Sequence, residues 1–474
     1  HLQPNPAYGW TYTGVNLTAD GWTGYLLNLT SGTWLTPADS NRYLWTHQLL
    51  VVLPTAVTTQ FTDSAAIWIT GGGNGDGVPG MWDEDVLVCA SLATSTGTAC
   101  SVLYQVPNQP IIFSADPTNS SRSEDAAVAF TWMQYMTVHP NEPEWILYFP
   151  MARAAVMAMD ATTEFVASLL PNYNIKRWMA MGASKRGWTT WLTGAAAPER
   201  MMGIAPVVMD LLNFSPGVQH MWQTLGNWTF AFVDYLNMGV PAYFGTPAVD
   251  ILQAVIDPLN YAVNLTMPKL VIDATGDEFF QPQDDQFWWG KLPGETLRMM
   301  IDNAEHSMAT GALYLITGVE AWYWGLLTNT PRPTFSWNIS AVDGSITIAT
   351  AGVQPNQVVL RFATTLDGYR RDFRLISGNT PANPCKYIPV NIFGSACLRP
   401  IIWVGETVAA TGPNTYKLTQ PLPPTGWRGF LAELYYDGPA GSNTTYQLTT
   451  QVSVIPNTYP FPPCSGQSCM GGLV

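Results

Sequence analysis

RWMAMGASKRGWTTW, residues 177–191, decides the fold. An apolar run, Trp178 to Met181, passes straight into Gly182-Ala183-Ser184 and then into residues that favour a helix. A serine at the apex of a strand–turn–helix is a nucleophile elbow, which lifts the hydroxyl above the C-terminal edge of parallel strands. Gly182 relieves the crowding such a turn creates. The stretch departs from Gly-x-Ser-x-Gly once, because Arg186 stands where the second glycine belongs and Gly187 follows. Taken alone, Ser184 would also suit an ordinary helix N-cap. The elbow therefore needs partners.

A nucleophilic serine needs a base, and the chain has five histidines: His1, His47, His139, His220 and His306. His306 has the right setting. It follows the apolar run Leu297 to Ile301 by a short loop and precedes a long apolar stretch from Met308. His139 sits in a Pro-flanked turn and His220 in an aromatic segment. The acid should follow the preceding strand, where Lys269 to Thr275 ends in Gly276-Asp277 and Pro282 closes the turn. Asp277 is thus expected to orient the imidazole and stabilise its protonated form, ahead of Asp210, Asp273, Asp284 and Asp285. Ser184, Asp277, His306 is the chain order of α/β-hydrolases, which differs from the chymotrypsin and subtilisin orders. For the oxyanion, the expected donors are the backbone N–H of Lys185 and those of Gly72 and Gly73, in the run IWITGGGNGDG at 67–77. That run lacks the Lys-Ser/Thr ending of a phosphate loop and is surrounded by Asp76, Asp83, Glu84 and Asp85, which disfavour phosphate.

Working outward, the first 330 residues alternate strand-like and helical runs. Strands are expected at Ala66 to Thr70, Pro110 to Ser114, Trp145 to Phe149, Gly203 to Met209, Leu270 to Ala274 and Leu297 to Ile301. Helices are expected at Glu124 to Met136, Ala152 to Leu170 and Lys185 to Ala197. Continuous apolar runs suit parallel strands buried on both faces, and the alternation predicts a doubly wound, mostly parallel sheet. An insertion at about 211–267 carries Trp222, Trp228, Phe230, Phe232, Tyr235, Tyr243 and Phe244, the composition of a helical cap. Most of these rings are expected to pack the cap's own core. TNTPRP at 328–333 reads as a linker, dividing a hydrolase domain, 1–330, from a second domain, 331–474. Short runs of alternating polarity in the latter predict an antiparallel β-sandwich of immunoglobulin or fibronectin type. The Pro-, Gly- and Cys-rich tail after Tyr459 is expected to lie irregularly on the surface.

Composition narrows the partners. Twenty Lys and Arg against 34 Asp and Glu leave a net charge of −14, with no basic patch. Nucleic acid and anionic membranes bind through clustered cations, so neither is expected. No stretch approaches the ~18 uninterrupted apolar residues of a membrane helix. The even set of six cysteines falls into close pairs, Cys89 with Cys100, Cys385 with Cys397 and Cys464 with Cys469. Local pairing is the simplest of the connectivities open to it. No Cys/His cluster suggests zinc, and no metal or cofactor is expected. Asn16, Asn28, Asn119, Asn227, Asn264, Asn338 and Asn443 each begin an Asn-x-Ser/Thr sequon, while Asn213, shortly before Pro216, is a poor acceptor. With a start at His1 instead of Met, these features predict a secreted glycoprotein whose leader has been removed.

The chain resembles the PhoPQ-activated pathogenicity-related protein family. The resemblance lies in VPNQPIIF (106–113), SEDAAVAFTW (123–132), PMARAAVMAMD (150–160), MGASKRGWTTW (181–191), VVMDLLN (207–213), ATGDEFFQP (274–282) and NAEHSM (303–308). GWRGFLAELYY (426–436) carries it past residue 331. It implies an α/β-hydrolase followed by a smaller β-rich domain, and makes Arg186 a family trait. Members are predicted serine hydrolases, sometimes likened to dipeptidyl peptidases, and some act chiefly as secreted signals.

Three functions remain in play. The leading one, with two alternatives, is a serine peptidase of amino- or dipeptidyl type, in which Glu124 and Asp125 at a helix start capture a substrate ammonium. Acids there are also favoured by the helix dipole alone. The second is an esterase, on carbohydrate or other esters, with Arg186 reading a carboxylate or sugar. The third is a secreted signalling or binding protein that uses the hydrolase fold as a scaffold for an extracellular or cell-surface partner.

Overall fold

The computed structural model describes residues 5–380, 384–391 and 395–474; His1 lies outside them. The chain forms two compact units: residues 1–207, 254–269 and 292–295, and residues 208–253, 270–291 and 296–474.

The first unit is built on a mixed sheet. Its strands are β1 (Gly9–Ala19), β2 (Trp22–Thr33), β3 (Leu44–Pro54), β4 (Ser64–Ile69), β5 (Ala99–Leu103), β6 (Arg177–Ala183) and β7 (Met201–Val207). They lie in the order β1-β2-β3-β5-β4-β6-β7. The pairs β5–β4, β4–β6 and β6–β7 are parallel, while β1–β2, β2–β3 and β3–β5 are antiparallel. All six residues of β4 and all five of β5 are buried, as strands covered by helices on both faces require. The helices are α1 (Glu84–Thr96), α2 (Glu124–Thr137), α3 (Tyr148–Leu169) and α4 (Lys185–Ala196). Cys89 on α1 is joined to Cys100 on β5.

Two expected strands are not strands. Trp145 to Phe149 closes a 3-10 turn and opens α3, because a short apolar run looks the same in a buried helix as in a buried strand. Pro110 to Ser114 runs as a loop with isolated bridges, its Ile111 and Phe113 fully buried and its backbone held by Arg122 and Asp39. The antiparallel β1–β3 edge had no counterpart among the expected runs.

The second unit contains β8 (Lys269–Ala274) and β9 (Thr296–Ile301), then α8 (Ala312–Leu327). Val208 N–H donates to Ile272 O and Thr275 N–H to Ile301 O. Between β7 and β8 the chain is helical, with α5 (Phe214–Leu225), α6 (Val233–Asn237), α7 (Pro247–Ile256) and 3-10 turns, in line with the expected insertion. Its rings pack on one another: Trp228 lies 5.1 Å from Phe232 and 5.2 Å from Phe244, and Phe232 4.5 Å from Tyr235.

Among the described residues after α8, the strand pairings are antiparallel. One sheet joins β10 (Thr334–Ile339), β11 (Ile346–Ala351) and β17 (Thr415–Leu418). A second orders β16 (Val404–Thr407), β12 (Gln357–Thr364), β18 (Arg428–Asp437) and β19 (Thr445–Thr449), with β20 (Ser453–Ile455) also on β18. A third joins β13 (Ile376–Gly378), β15 (Ala396–Leu398) and β14 (Ile388–Val390). Met300 of β9 belongs to the same core as Phe373, Trp403, Trp427, Leu431 and Val454, and its N–H donates to Thr449 Oγ1. That shared core is why β9 groups with the C-terminal strands although it precedes the TNTPRP linker.

The tail is irregular apart from one 3-10 turn, Gly466–Cys469, and most of it lies at the surface, as expected, but it is pinned in place. Trp228 N–H donates to Gly472 O, Val474 N–H to Trp228 O, and the Trp228 indole to Cys469 O. Gln219 exchanges hydrogen bonds with Cys464, and Cys469 is fully buried. The backbone of the tail finds its partners in the helical insertion, which composition could not reveal. Cys464–Cys469 and Cys385–Cys397 complete the disulfides. Among the described residues, no helix is long and apolar enough to cross a membrane.

Candidate active site

Ser184 is the junction between β6 and α4 and has φ 58° and ψ −126°. A non-glycine residue in that region is strained and persists only where its surroundings hold it. Here Ser184 N–H donates to Val207 O and its carbonyl accepts Trp188 N–H, the first turn of α4. A Cβ at Gly182 would meet Arg186 O at 2.8 Å and Ile69 O at 2.9 Å, so the turn admits only glycine there.

The two cations after the serine are occupied. Lys185 Nζ lies 3.0 Å from Glu124 Oε2 and 3.2 Å from Asp125 Oδ2. Arg186 Nη2 lies 2.5 Å from Glu124 Oε1, and Arg186 Nε donates to Val106 O. Burial alone would raise the pKa of Glu124, but Arg186 and then Lys185 override it and hold the carboxyl well below the usual range. Glu124 also has φ 51°, and its N–H donates to Gln109 Oε1 at 2.7 Å. Gln109 Nε2 returns to Glu124 Oε1 and reaches Gly72 O at 3.3 Å. A chain of polar contacts therefore runs from α4 through Glu124 and Gln109 to the glycine loop. In that loop Gly72 has φ 98°, and Gly73 N–H donates to Asp76 Oδ2 at 2.6 Å. Gly73 therefore spends its N–H within the loop, which leaves Gly72 and Lys185 as the oxyanion candidates.

Asp277 and His306 meet in the second unit. His306 Nδ1 lies 2.9 Å from both Asp277 oxygens. A carboxylate on that side keeps the proton on Nδ1 and directs proton uptake to Nε2. Asp277 is buried, and its Oδ1 accepts the N–H groups of Phe279 and Phe280 at 2.7 and 3.0 Å. The Phe279 ring lies 4.5 Å from the imidazole. The rival acids are engaged elsewhere. Arg298, fully buried, lies 2.9 Å from Asp285 and 3.3 Å from each of Asp210 and Asp273; His220 lies 2.5 Å from Asp284.

Sequence reasoning missed Glu278. It is buried, its Oε2 accepts the His306 N–H at 2.8 Å, and burial followed by the charge of Asp277 pushes its pKa up to about 7. The only signal was its adjacency to Asp277. Among the described residues, no group of three His, Cys, Asp or Glu side chains is arranged to hold a metal.

An elbow serine on the parallel strands of the sheet, with an aspartate-held histidine three strands further along the chain, defines an α/β-hydrolase. Residues 1–374 match the family described as PhoPQ-activated pathogenicity-related protein. The chain is also 36% identical over 482 residues to autocrine proliferation repressor protein A of Dictyostelium discoideum, covering 99% of this chain and 92% of that one. It belongs to the PhoPQ-activated pathogenicity-related protein family. Among solved structures, the acetyl xylan esterase from Paenibacillus sp. R4 is similar with a TM-score of 0.43 and 15% identity, over 66% of this chain and 89% of that one. Acetyl xylan esterase 1 from Thermoanaerobacterium sp. JW/SL YS485 is similar with a TM-score of 0.44 and 14% identity, over 69% and 89%.

Proposed function

We propose that this protein is a serine hydrolase that cleaves its substrate through an acyl-enzyme on Ser184. The observation that carries the reading is the Asp277–His306 pair together with the strained elbow conformation of Ser184. Ser184 Oγ attacks the carbonyl carbon while His306 Nε2 takes the hydroxyl proton. The N–H groups of Lys185 and Gly72 stabilise the oxyanion. The tetrahedral species collapses with transfer of that proton to the leaving group, and water then repeats the cycle to release the acid.

Glu124 and Asp125 do not favour a peptidase. An incoming ammonium would have to displace Lys185 and Arg186 from them, at the cost of leaving two cations unpaired. An acyl group without a charged amine fits better, so esters are the first substrates to test. On p-nitrophenyl esters against dipeptidyl anilides, the ester should turn over faster, and Ser184→Ala should abolish the reaction. Faster release from the free-amine anilide would restore the peptidase reading.

The 36% identity to an autocrine proliferation repressor supports a second role, as an extracellular signal. Three disulfides support export, as do the exposed sequons at Asn16, Asn28, Asn119, Asn264, Asn338 and Asn443. A Ser184→Ala protein that keeps a cell-proliferation effect would separate the signal from the enzyme.

A further inference from the structure

Among the described residues, Trp82 is the one exposed tryptophan, with 80% of its surface in water. Its neighbours share the exposure: Val78 is 52% exposed, and Met81 and Leu87 also face solvent. A chain that covers its other indoles has no folding reason to present this one, and exposed aromatic–aliphatic patches mark interaction sites.

The loop that carries them is held from several sides. Asp76 accepts Gly73 N–H at 2.6 Å, and Gln48 Nε2 reaches the carbonyls of Asp76 and Gly77. Asp83 N–H donates to Gly80 O, while the Asp83 carboxylate caps α1 and accepts the Tyr104 hydroxyl at 3.2 Å. Trp82 thus stands on a fixed frame, which lowers the ordering cost of binding.

Charge identifies what the patch would bind. No Lys or Arg occurs between Arg42 and Arg122, whereas Asp76, Asp83 and Glu84 flank Trp82. An indole face attracts a cation, and neighbouring carboxylates strengthen that preference. We propose that residues 76–87 form a docking surface for a cationic polypeptide segment, one that carries Lys or Arg beside aliphatic side chains. A neutral sugar could stack on the indole but would gain nothing from the acidic rim. The loop leaves the end of β4, where Ile69 lies opposite Gly182 of β6, so the surface occupies the sheet edge from which Ser184 rises. The docking stands whether or not Ser184 is acylated.

The test is fluorescence anisotropy with a labelled Lys-Val repeat peptide, its Glu-Val counterpart and a labelled neutral xylo-oligosaccharide. The titrations use the full chain carrying Ser184→Ala, so that turnover plays no part. The Lys-Val peptide should bind, and binding should weaken with salt. Trp82→Ala should weaken it about tenfold or more and Glu84→Gln about threefold, with Trp82→Phe restoring most of the loss. Because Trp82 is exposed, its variants should keep the parent's circular dichroism and unfolding midpoint. No binding of the Lys-Val peptide, binding unchanged by Trp82→Ala, or a sugar or Glu-Val peptide bound as tightly through Trp82 would each overturn the proposal.

Discussion

Two charged clusters in this molecule show opposite solutions to the same problem. Beside Ser184, Lys185 and Arg186 face Glu124 and Asp125, cation for anion, and Glu124 keeps its charge to unusually low pH. In the second unit, Arg298 is the one arginine or lysine among the described residues that pairs with Asp210, Asp273 and Asp285, all in full burial. Burial there outweighs the attraction of Arg298 and pushes Asp273 up to about 7, while Asp210 and Asp285 are also raised. Matched charge lets a cluster stay ionised; unmatched charge in low dielectric makes it keep protons.

The largest expected effect comes from breaking the unmatched cluster. Arg298→Ala leaves three carboxyls buried without a cation and should cost about 3 to 5 kcal/mol, measured by urea unfolding. A loss under about 1 kcal/mol would show that the Arg298 ion pairs do not support the folded state.

The pH dependence sharpens the comparison next. Asp273 and Glu278 have raised folded pKa values, so their contribution is full below about pH 4 and is lost as pH rises through about 7. Glu124, with a lowered value, contributes above about pH 4.5, and that contribution is lost as pH falls toward its folded value. Stability should therefore be highest in weakly acid solution. Asp273→Asn should flatten the slope between pH 5 and 7.5 in thermal scans; an unchanged slope would break the assignment.

A smaller effect is expected at the matched cluster. Glu124→Gln keeps the shape but removes the charge between Lys185 and Arg186, and should cost about 1 to 2 kcal/mol, given its partial exposure. If Glu124 and Gln109 brace the glycine loop, the same variant should lower kcat on a p-nitrophenyl ester with little change in KM.

The features legible in the sequence were those with local signatures. The elbow at 182–184, the strand-end position of Asp277 and the short spacings of the cysteine pairs could be read from neighbours in the chain. What escaped depends on distant residues. Glu124 looked like an ammonium trap because its cations lie some sixty positions further on. The anchorage of the tail escaped because its partners, Trp228 and Gln219, sit in the insertion. β18 shows no alternating polarity to read, because Phe430 to Leu434 is buried without a break.

The measurement that bears most directly on the central claim is labelling of the folded protein with a fluorophosphonate, with the adduct located by mass spectrometry. The account predicts one phosphonylated residue, Ser184, with labelling lost in Ser184→Ala and slowed at least a hundredfold in His306→Ala. An adduct on another residue, or a folded protein that takes no label, would contradict it.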